Sequence, residues 1–357
     1  MQNAICVNSE NKKRNVDLDA LRGLAIFLMI MGHVVQKGML DLNYEGNWIY
    51  KAIYSFHMPL LMLISGYLFE RSTEKYSLAE LYKRKIRQML VPIVVWNTLY
   101  YCMDVLLFNC SEVTYGLIGY VKYLFTGLWF LWAILLYSLL LGFISKAVKK
   151  NQLLVVICSF FILLISPNRW RIIFEYVFFI VGYSFGNFYR VSGGGDEKRH
   201  VKKICLTITV AVCIIYVCFL DYVRMDISEI AISLLSHNFS VSIMYFAKTI
   251  EAYFISACAC YTAIQFVVVL KKHSASKKIY LVLVILGRMS LEIYVLQRVI
   301  IELVCANVLK NLNICIISNS LSSFALAIIF SILFAMLFIL IVKVIQKTKL
   351  SFILFGR

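Results

Sequence analysis

Long runs of apolar residues alternate along this chain with short polar segments. Most of the runs reach the length of about 20 residues that an α-helix needs to cross a bilayer. The pattern therefore predicts an all-α fold, a polytopic transmembrane bundle of about ten helices. The predicted spans lie near residues 18–40, 48–69, 87–108, 128–146, 152–166, 172–190, 203–221, 242–270, 280–309 and 319–345.

Composition agrees with a membrane protein, because 61% of the 357 residues are hydrophobic and the mean hydropathy is +0.81. A soluble domain is nearer half apolar. We expect one integral-membrane domain over residues 1–357, multi-pass in the inner or plasma membrane of a cell.

The formal net charge of +17 suggests nucleic acid as a partner at first sight. The basic residues, however, form short clusters between apolar runs, the distribution that the positive-inside rule describes. Clusters near residues 70–87, 190–203 and 271–278 fall on one side if the spans alternate. We therefore predict no nucleic-acid partner, a lipid bilayer around the chain, and both termini in the cytoplasm.

The first predicted span contains three charged or titratable residues, Asp19, Arg22 and His33. Such side chains within a span usually face the protein interior or a watery cavity. An α-helix turns about 100° per residue, so Arg22 and His33 point within about 20° of each other, His33 about 16 Å further along. Asp19 has ion-pair spacing to Arg22. The alternative is an interfacial arginine and a histidine bonded to a neighbouring helix.

A second histidine, His57, lies near the outer end of the second predicted span. The first span runs outward and the second returns, so His33 and His57 are expected at similar depth in adjacent helices. Elsewhere, Arg298 and Glu302 are four residues apart, and we interpret them as an intrahelical ion pair.

These stretches resemble the acyltransferase-3 family of integral-membrane acyltransferases. The segment SFHMPL followed by ISGYLF is similar to the sugar O-acetyltransferase branch, which includes fucose 4-O-acetylase-like proteins. The last matching motif is LGRMSLEIYVL, and relatives often close it with His where this chain has Gln297. This difference puts an essential role for that position in doubt. The other matching motifs are Arg22 with His33 eleven positions later, KRKIRQMLVP and LWFL.

The resemblance implies transfer of an acyl group, usually acetyl, from coenzyme A to a hydroxyl of a cell-surface polysaccharide or its lipid-linked precursor. Acetyl-CoA is then the acyl-donor substrate, and no metal is expected. His33 is the predicted catalytic base and His57 its partner, since an imidazole titrates near working pH. The predicted substrate-binding residues are Asp19, Arg22, Arg84, Arg87 and Trp129.

The arginines are included among the predicted substrate-binding residues because guanidinium groups pair well with the phosphates of coenzyme A. Arg84 and Arg87 also satisfy the positive-inside rule alone. Trp129 offers an aromatic face to a sugar ring, or else belongs to the interfacial aromatic belt.

Two other functions remain open at this point. A secondary transporter or flippase for a glycan precursor also uses membrane-embedded Asp, Arg and His, as proton relays. The chain lacks a recognisable internal repeat, which is unlike many such transporters. A degenerate family member could also serve as a scaffold, although Asp19, Arg22, His33 and His57 are all retained.

Overall fold

A computed structural model describes residues 14–39, 44–107, 116–148, 151–165, 170–191, 239–312 and 321–356. All the regular elements in them are helical, which confirms the predicted all-α class. The predicted seventh span, near residues 203–221, lies outside the described residues.

The described helices follow the apolar runs of the sequence. The α-helices are α1 (Val16–His33), α2 (Trp48–Tyr54), α3 (His57–Lys75), α4 (Leu78–Leu107), α5 (Leu117–Thr126), α6 (Trp129–Ala147), α7 (Gln152–Ile165), α8 (Trp170–Val191), α9 (Phe239–Lys272), α10 (Lys277–Arg288), α11 (Ser290–Gln297), α12 (Ala306–Asn311), α13 (Leu321–Gln346) and α14 (Leu350–Phe355). Two π-helical segments continue α1 and α11, at Val34–Gly38 and Arg298–Cys305.

In the described ranges, six helices are long and apolar enough to cross a membrane, and a bent helix pair makes a seventh candidate. A polytopic helical bundle is thereby confirmed, whereas the count of ten spans and the cytoplasmic termini stay predictions. The six candidates are Val16–Gly38, Trp48–Lys75, Leu78–Leu107, Trp129–Ala147, Phe246–Lys272 and Ser323–Gln346.

Close backbone contacts through glycine hold the centre of the bundle together. A Cβ added at Gly23 of α1 would overlap the backbone of α10, and one at Gly287 of α10 would overlap the backbone of α1. Gly66 and Gly182 allow the same approach between α3 and α8. Small residues at such crossings let dispersion contacts replace the hydrophobic drive that lipid does not supply. The two helix pairs therefore form a fixed frame for the residues between them.

Two predicted spans are interrupted in the structure. The second breaks after Tyr54, so that His57 becomes the first residue of α3. The ninth bends by 75° at Met289, between Ser274–Arg288 and Ser290–Asn311. The first interruption borders one internal cavity, which Tyr54 and His57 line, and the second borders another, which Ser290 lines.

Candidate active site

A cavity of about 270 Å³ lies beside the C-terminal end of α1, and we name it the histidine cavity. His33 of α1, His57 of α3 and Trp129 of α6 all line it. The structure thus brings three of the predicted site residues together from three different helices. Their catalytic and substrate-binding roles remain predictions at this stage.

His57 is fixed by the helix break that precedes it. Its Nδ1–H donates to the carbonyl oxygen of Ile53 in α2 at 2.7 Å, and the residue is 1% exposed. A neutral imidazole that donates from Nδ1 carries its lone pair on Nε2. The Ile53 carbonyl therefore sets the tautomer of His57 without placing a full negative charge beside it.

His33 has a different neighbour, a carboxylate. Its Nδ1 lies 3.4 Å from Oε1 of Glu302, and the two side chains are 18% and 24% exposed. A carboxylate at Nδ1 favours the tautomer whose Nε2 is free to take a proton, and it stabilises the imidazolium that results. The separation exceeds a normal hydrogen bond, but catalytic hydrogen bonds are often long until substrate binds. The His33–Glu302 pair therefore has the composition of a base and its orienting acid.

Glu302 reaches His33 because the helix carrying it is locally π-helical. Nε2 of Gln297 donates to Oε1 of Glu302 at 3.1 Å. Five residues of α-helix would put these two side chains about 140° apart, whereas a π-helical turn closes on residues five apart. Both residues line the histidine cavity. Gln297, which the sequence left in doubt, thus contacts the acid of the pair.

The interpretation of Arg298 and Glu302 as an intrahelical ion pair differs from the contacts observed. Arg298 donates to Oδ1 of Asn97 at 3.2 Å, and its guanidinium lies 4.5 Å from the centroid of the Tyr100 ring. Glu302 instead faces His33. The α-helical spacing rule fails here because Arg298 begins the π-helical segment.

The predicted partnership of His33 with His57 is indirect in the structure. The Tyr54 ring meets both imidazoles edge-on, with centroids 6.3 Å from His33 and 4.8 Å from His57. The charged group beside Nδ1 of His33 is Glu302. His57 therefore shares the cavity with His33 while a different residue flanks the His33 ring.

A second cavity, of about 230 Å³, is lined by Arg22 among other residues, and we name it the cationic cavity. Lys85 of α4 lines it together with Arg22, and Ser65, Ser72 and Gln88 add polar groups. Arg22 therefore lies in a cavity, as its predicted role requires. Lys85 was not predicted, because a basic run at a helix end does not reveal which of its members faces inward.

The other predicted substrate-binding residues line neither of these two cavities. Arg84 and Arg87 are exposed and stack over Tyr76 and Phe352, at 4.1 and 4.3 Å from the ring centroids. These stacking contacts hold both guanidinium groups outside the cationic cavity, on the same helix that supplies Lys85.

Asp19 binds arginines other than the predicted partner Arg22. Arg14 donates to both carboxylate oxygens of Asp19, at 2.7 and 2.9 Å, and Nε of Arg288 lies at 3.5 Å. Only 6% of the Asp19 side chain is exposed. Asp19 therefore links the start of α1 to the end of α10.

The two cavities are stacked along the same helices. Residues of α1, α3, α6 and α11 line both, and Tyr294 of α11 borders each of them. Among the described residues, no group of three His, Cys, Asp or Glu side chains is arranged to hold a metal ion. The arrangement offers an imidazole–carboxylate pair in one chamber and two cations in the next.

The helices and the cavities they enclose define an all-α polytopic membrane protein with a polar internal site. Residues 15–340 match the family model described as an acyltransferase domain, that of acyltransferase-3. The chain belongs to this acyltransferase family, which confirms the resemblance drawn from its motifs.

Two curated relatives are similar to this chain. Nodulation protein NolL of Sinorhizobium fredii is 29% identical over 219 residues, which cover 59% of this chain and 58% of that protein. Nodulation protein NolL of Mesorhizobium japonicum is 27% identical over 183 residues, 48% of each chain. The chain therefore matches about half the length of these relatives. No solved structure matches it.

Proposed function

We propose that this protein is a membrane O-acyltransferase that moves an acetyl group from acetyl-CoA to a hydroxyl of a cell-surface polysaccharide or its lipid-linked precursor. The observation that carries the proposal is the His33–Glu302 pair in a cavity that adjoins a second, cationic one. Acyl transfer needs a base for the acceptor, and a coenzyme A thioester needs cations for its phosphates. Membership of the acyltransferase family supports the reaction class.

The donor is proposed to enter from the cationic cavity. Coenzyme A is a polyanion, and Arg22 and Lys85 supply two positive charges inside one chamber. Arg84 and Arg87 lie on the same helix as Lys85 and extend the positive field at that end of the bundle. Such a field raises the local concentration of an anionic substrate. We assign the N-terminal end of α1, with these basic residues, to the cytoplasmic face.

The acceptor is proposed to occupy the histidine cavity, with a sugar ring against Trp129. Aromatic faces offer a sugar an apolar contact while its hydroxyls keep their hydrogen bonds. The bond from Nδ1–H to Ile53 leaves the lone pair of His57 on Nε2, and we propose that this atom accepts a hydrogen bond from a second hydroxyl. His57 is thereby proposed as a positioning group and His33 as the base.

The proposed acyl transfer moves one proton from the acceptor hydroxyl to the leaving thiolate through His33. Nε2 of His33 takes the proton of the acceptor hydroxyl as its oxygen attacks the thioester carbonyl. The new C–O bond forms, the C–S bond breaks, and the imidazolium returns the proton to the departing thiolate. Glu302 stabilises the imidazolium between these two transfers. General-base catalysis of this kind contributes about 10² to 10⁴ in rate.

Replacing the base tests the proposal. His33→Gln and His33→Ala should both abolish release of free coenzyme A from acetyl-CoA in the presence of glycan-bearing membranes, while the protein inserts at normal levels. Glutamine keeps a hydrogen bond but cannot take a proton at neutral pH, so full activity of His33→Gln would exclude His33 as the base. His273→Gln, at an exposed histidine after α9, is the matched control and should retain activity.

The same assay separates the enzyme from the transporter. A secondary transporter or flippase has no reason to cleave a thioester, so it would move glycan without releasing coenzyme A. Release of coenzyme A that depends on both His33 and the acceptor would favour the acyltransferase. Glycan movement in the absence of any thioester cleavage would favour the transporter.

A further inference from the structure

Tyr294 lies at the boundary between the histidine cavity and the cationic cavity. It borders both, and it is 7% exposed. The ring of Phe130, which lines the cationic cavity and is also 7% exposed, packs against it with centroids 5.5 Å apart. We name these two rings the aromatic partition.

A donor held by its phosphates at Arg22 must cross the aromatic partition to react. Arg22 and His33 are separated by about 16 Å along α1, and the cavities that contain them meet at Tyr294. The flexible thiol arm of coenzyme A therefore has to extend from the cationic cavity until its thioester reaches the partition. The reacting carbonyl then lies beside the Tyr294 ring.

The partition also limits the room for the acyl chain. Two of the directions around the thioester carbonyl carbon are already taken. The sulfur and the thiol arm of coenzyme A lie on the side of the cationic cavity, and the acceptor hydroxyl approaches from the histidine cavity. The acyl chain must take the remaining direction, sideways into the aromatic rings and the apolar side chains next to them. Ile26 and Ile134 also line the cationic cavity, and Met29 lines the histidine cavity. Tyr294 is larger than any of these three side chains.

We propose that the ring of Tyr294 sets the length of the acyl chain that this protein transfers, admitting acetyl and excluding longer chains. The inference rests on the proposed acyltransferase function and adds the determinant of donor specificity. Ring size, and not the hydroxyl, is the operative property, because the exclusion is steric. A single methylene that does not fit an apolar pocket costs about tenfold or more in discrimination.

The test compares acetyl-, propionyl-, butyryl- and hexanoyl-CoA with the full-length protein in lipid nanodiscs. The acceptor is supplied as a membrane fraction that carries lipid-linked glycans, and both free coenzyme A and labelled acyl-glycan are measured. Tyr294→Ala should raise the ratio of butyryl to acetyl transfer at least about tenfold. Tyr294→Phe, which keeps the ring, should leave the ratio unchanged. Tyr280→Ala removes a similarly buried tyrosine that borders neither cavity and should also leave the ratio unchanged.

Each outcome decides between named alternatives. An unchanged ratio in active Tyr294→Ala would overturn the inference, and an equal change in Tyr294→Phe would assign the effect to the hydroxyl instead. Should Tyr294→Ala fail to insert, Tyr294→Leu, which is smaller than tyrosine but fills more of the space than alanine, carries the same expectation. Wild-type protein that consumes none of the four thioesters would refute the proposed function itself, whereas acetyl transfer with an unaltered ratio refutes only the role of Tyr294.

Discussion

Replacing Glu302 by glutamine removes one charge from the proposed site and changes little else. Glutamine has nearly the same size and keeps a carbonyl oxygen that can accept from Nδ1 of His33. In the structure that contact is with Oε1 of Glu302, at 3.4 Å. Glu302→Gln thus measures what the negative charge contributes to the basicity of His33.

The size of the effect follows from the distance. Two unit charges 3.4 Å apart attract with about 5 kcal/mol at an effective dielectric constant of about 20. Each 1.36 kcal/mol corresponds to about tenfold in rate, so full loss of the attraction would lower kcat by between three and four powers of ten. The side chains of His33 and Glu302 are 18% and 24% exposed, so water screens part of this attraction. We expect kcat to fall about 10²-fold.

Steady-state kinetics with acetyl-CoA as the varied substrate provide the assay. Glu302 borders the histidine cavity and not the cationic one, so the KM for acetyl-CoA should change little while kcat falls. Glu80→Gln, at an exposed carboxylate near the start of α4, is the matched control and should leave both constants unchanged. A kcat within twofold of wild type for well-inserted Glu302→Gln would refute the idea that this carboxylate assists His33.

Three further predictions concern donor binding, packing and topology. Lys85→Gln should raise the KM for acetyl-CoA several-fold and more than Arg84→Gln does, because Lys85 lines the cationic cavity; equal effects in both would contradict this. Gly287→Ala should destabilise the protein by about 1–3 kcal/mol or more, measured by thermal unfolding, whereas Gly38→Ala meets only ordinary contacts and should not. Single cysteines placed in residues 221–240 should be labelled from outside, and labelling from the cytoplasm alone would overturn the topology.

Much of the fold could be predicted because lipid restricts the choice of backbone. Inside a bilayer every backbone polar group must be satisfied within the segment, so long apolar runs become helices. The grouping of His33, His57 and Trp129 was also accessible, since alternating spans place these residues at the same end of the bundle. All three line one cavity in the structure.

The remainder of the site depends on contacts that sequence spacing cannot report. Glu302 was paired with Arg298 on the assumption of α-helical geometry, and the π-helical segment turns it toward Gln297 and His33 instead. Asp19 meets Arg288 across 269 positions of the chain, a separation at which no local rule applies. These side chains were visible in the sequence, but their partners are set by tertiary packing.

The stacked cavities also suggest how the proposed enzyme protects a reactive thioester. A base that activates a sugar hydroxyl also activates water, so transfer competes with hydrolysis unless water is kept from the carbonyl. In the proposed mechanism the donor would be held in the cationic cavity, on the side of the partition away from His33. Its thioester would then meet the proposed base only after it reaches Tyr294. With an acceptor sugar filling the histidine cavity, the space beside His33 is occupied by the hydroxyl that should react. If the thioester reaches His33 only when an acceptor sugar fills the histidine cavity, transfer would be faster than hydrolysis without any additional catalytic group.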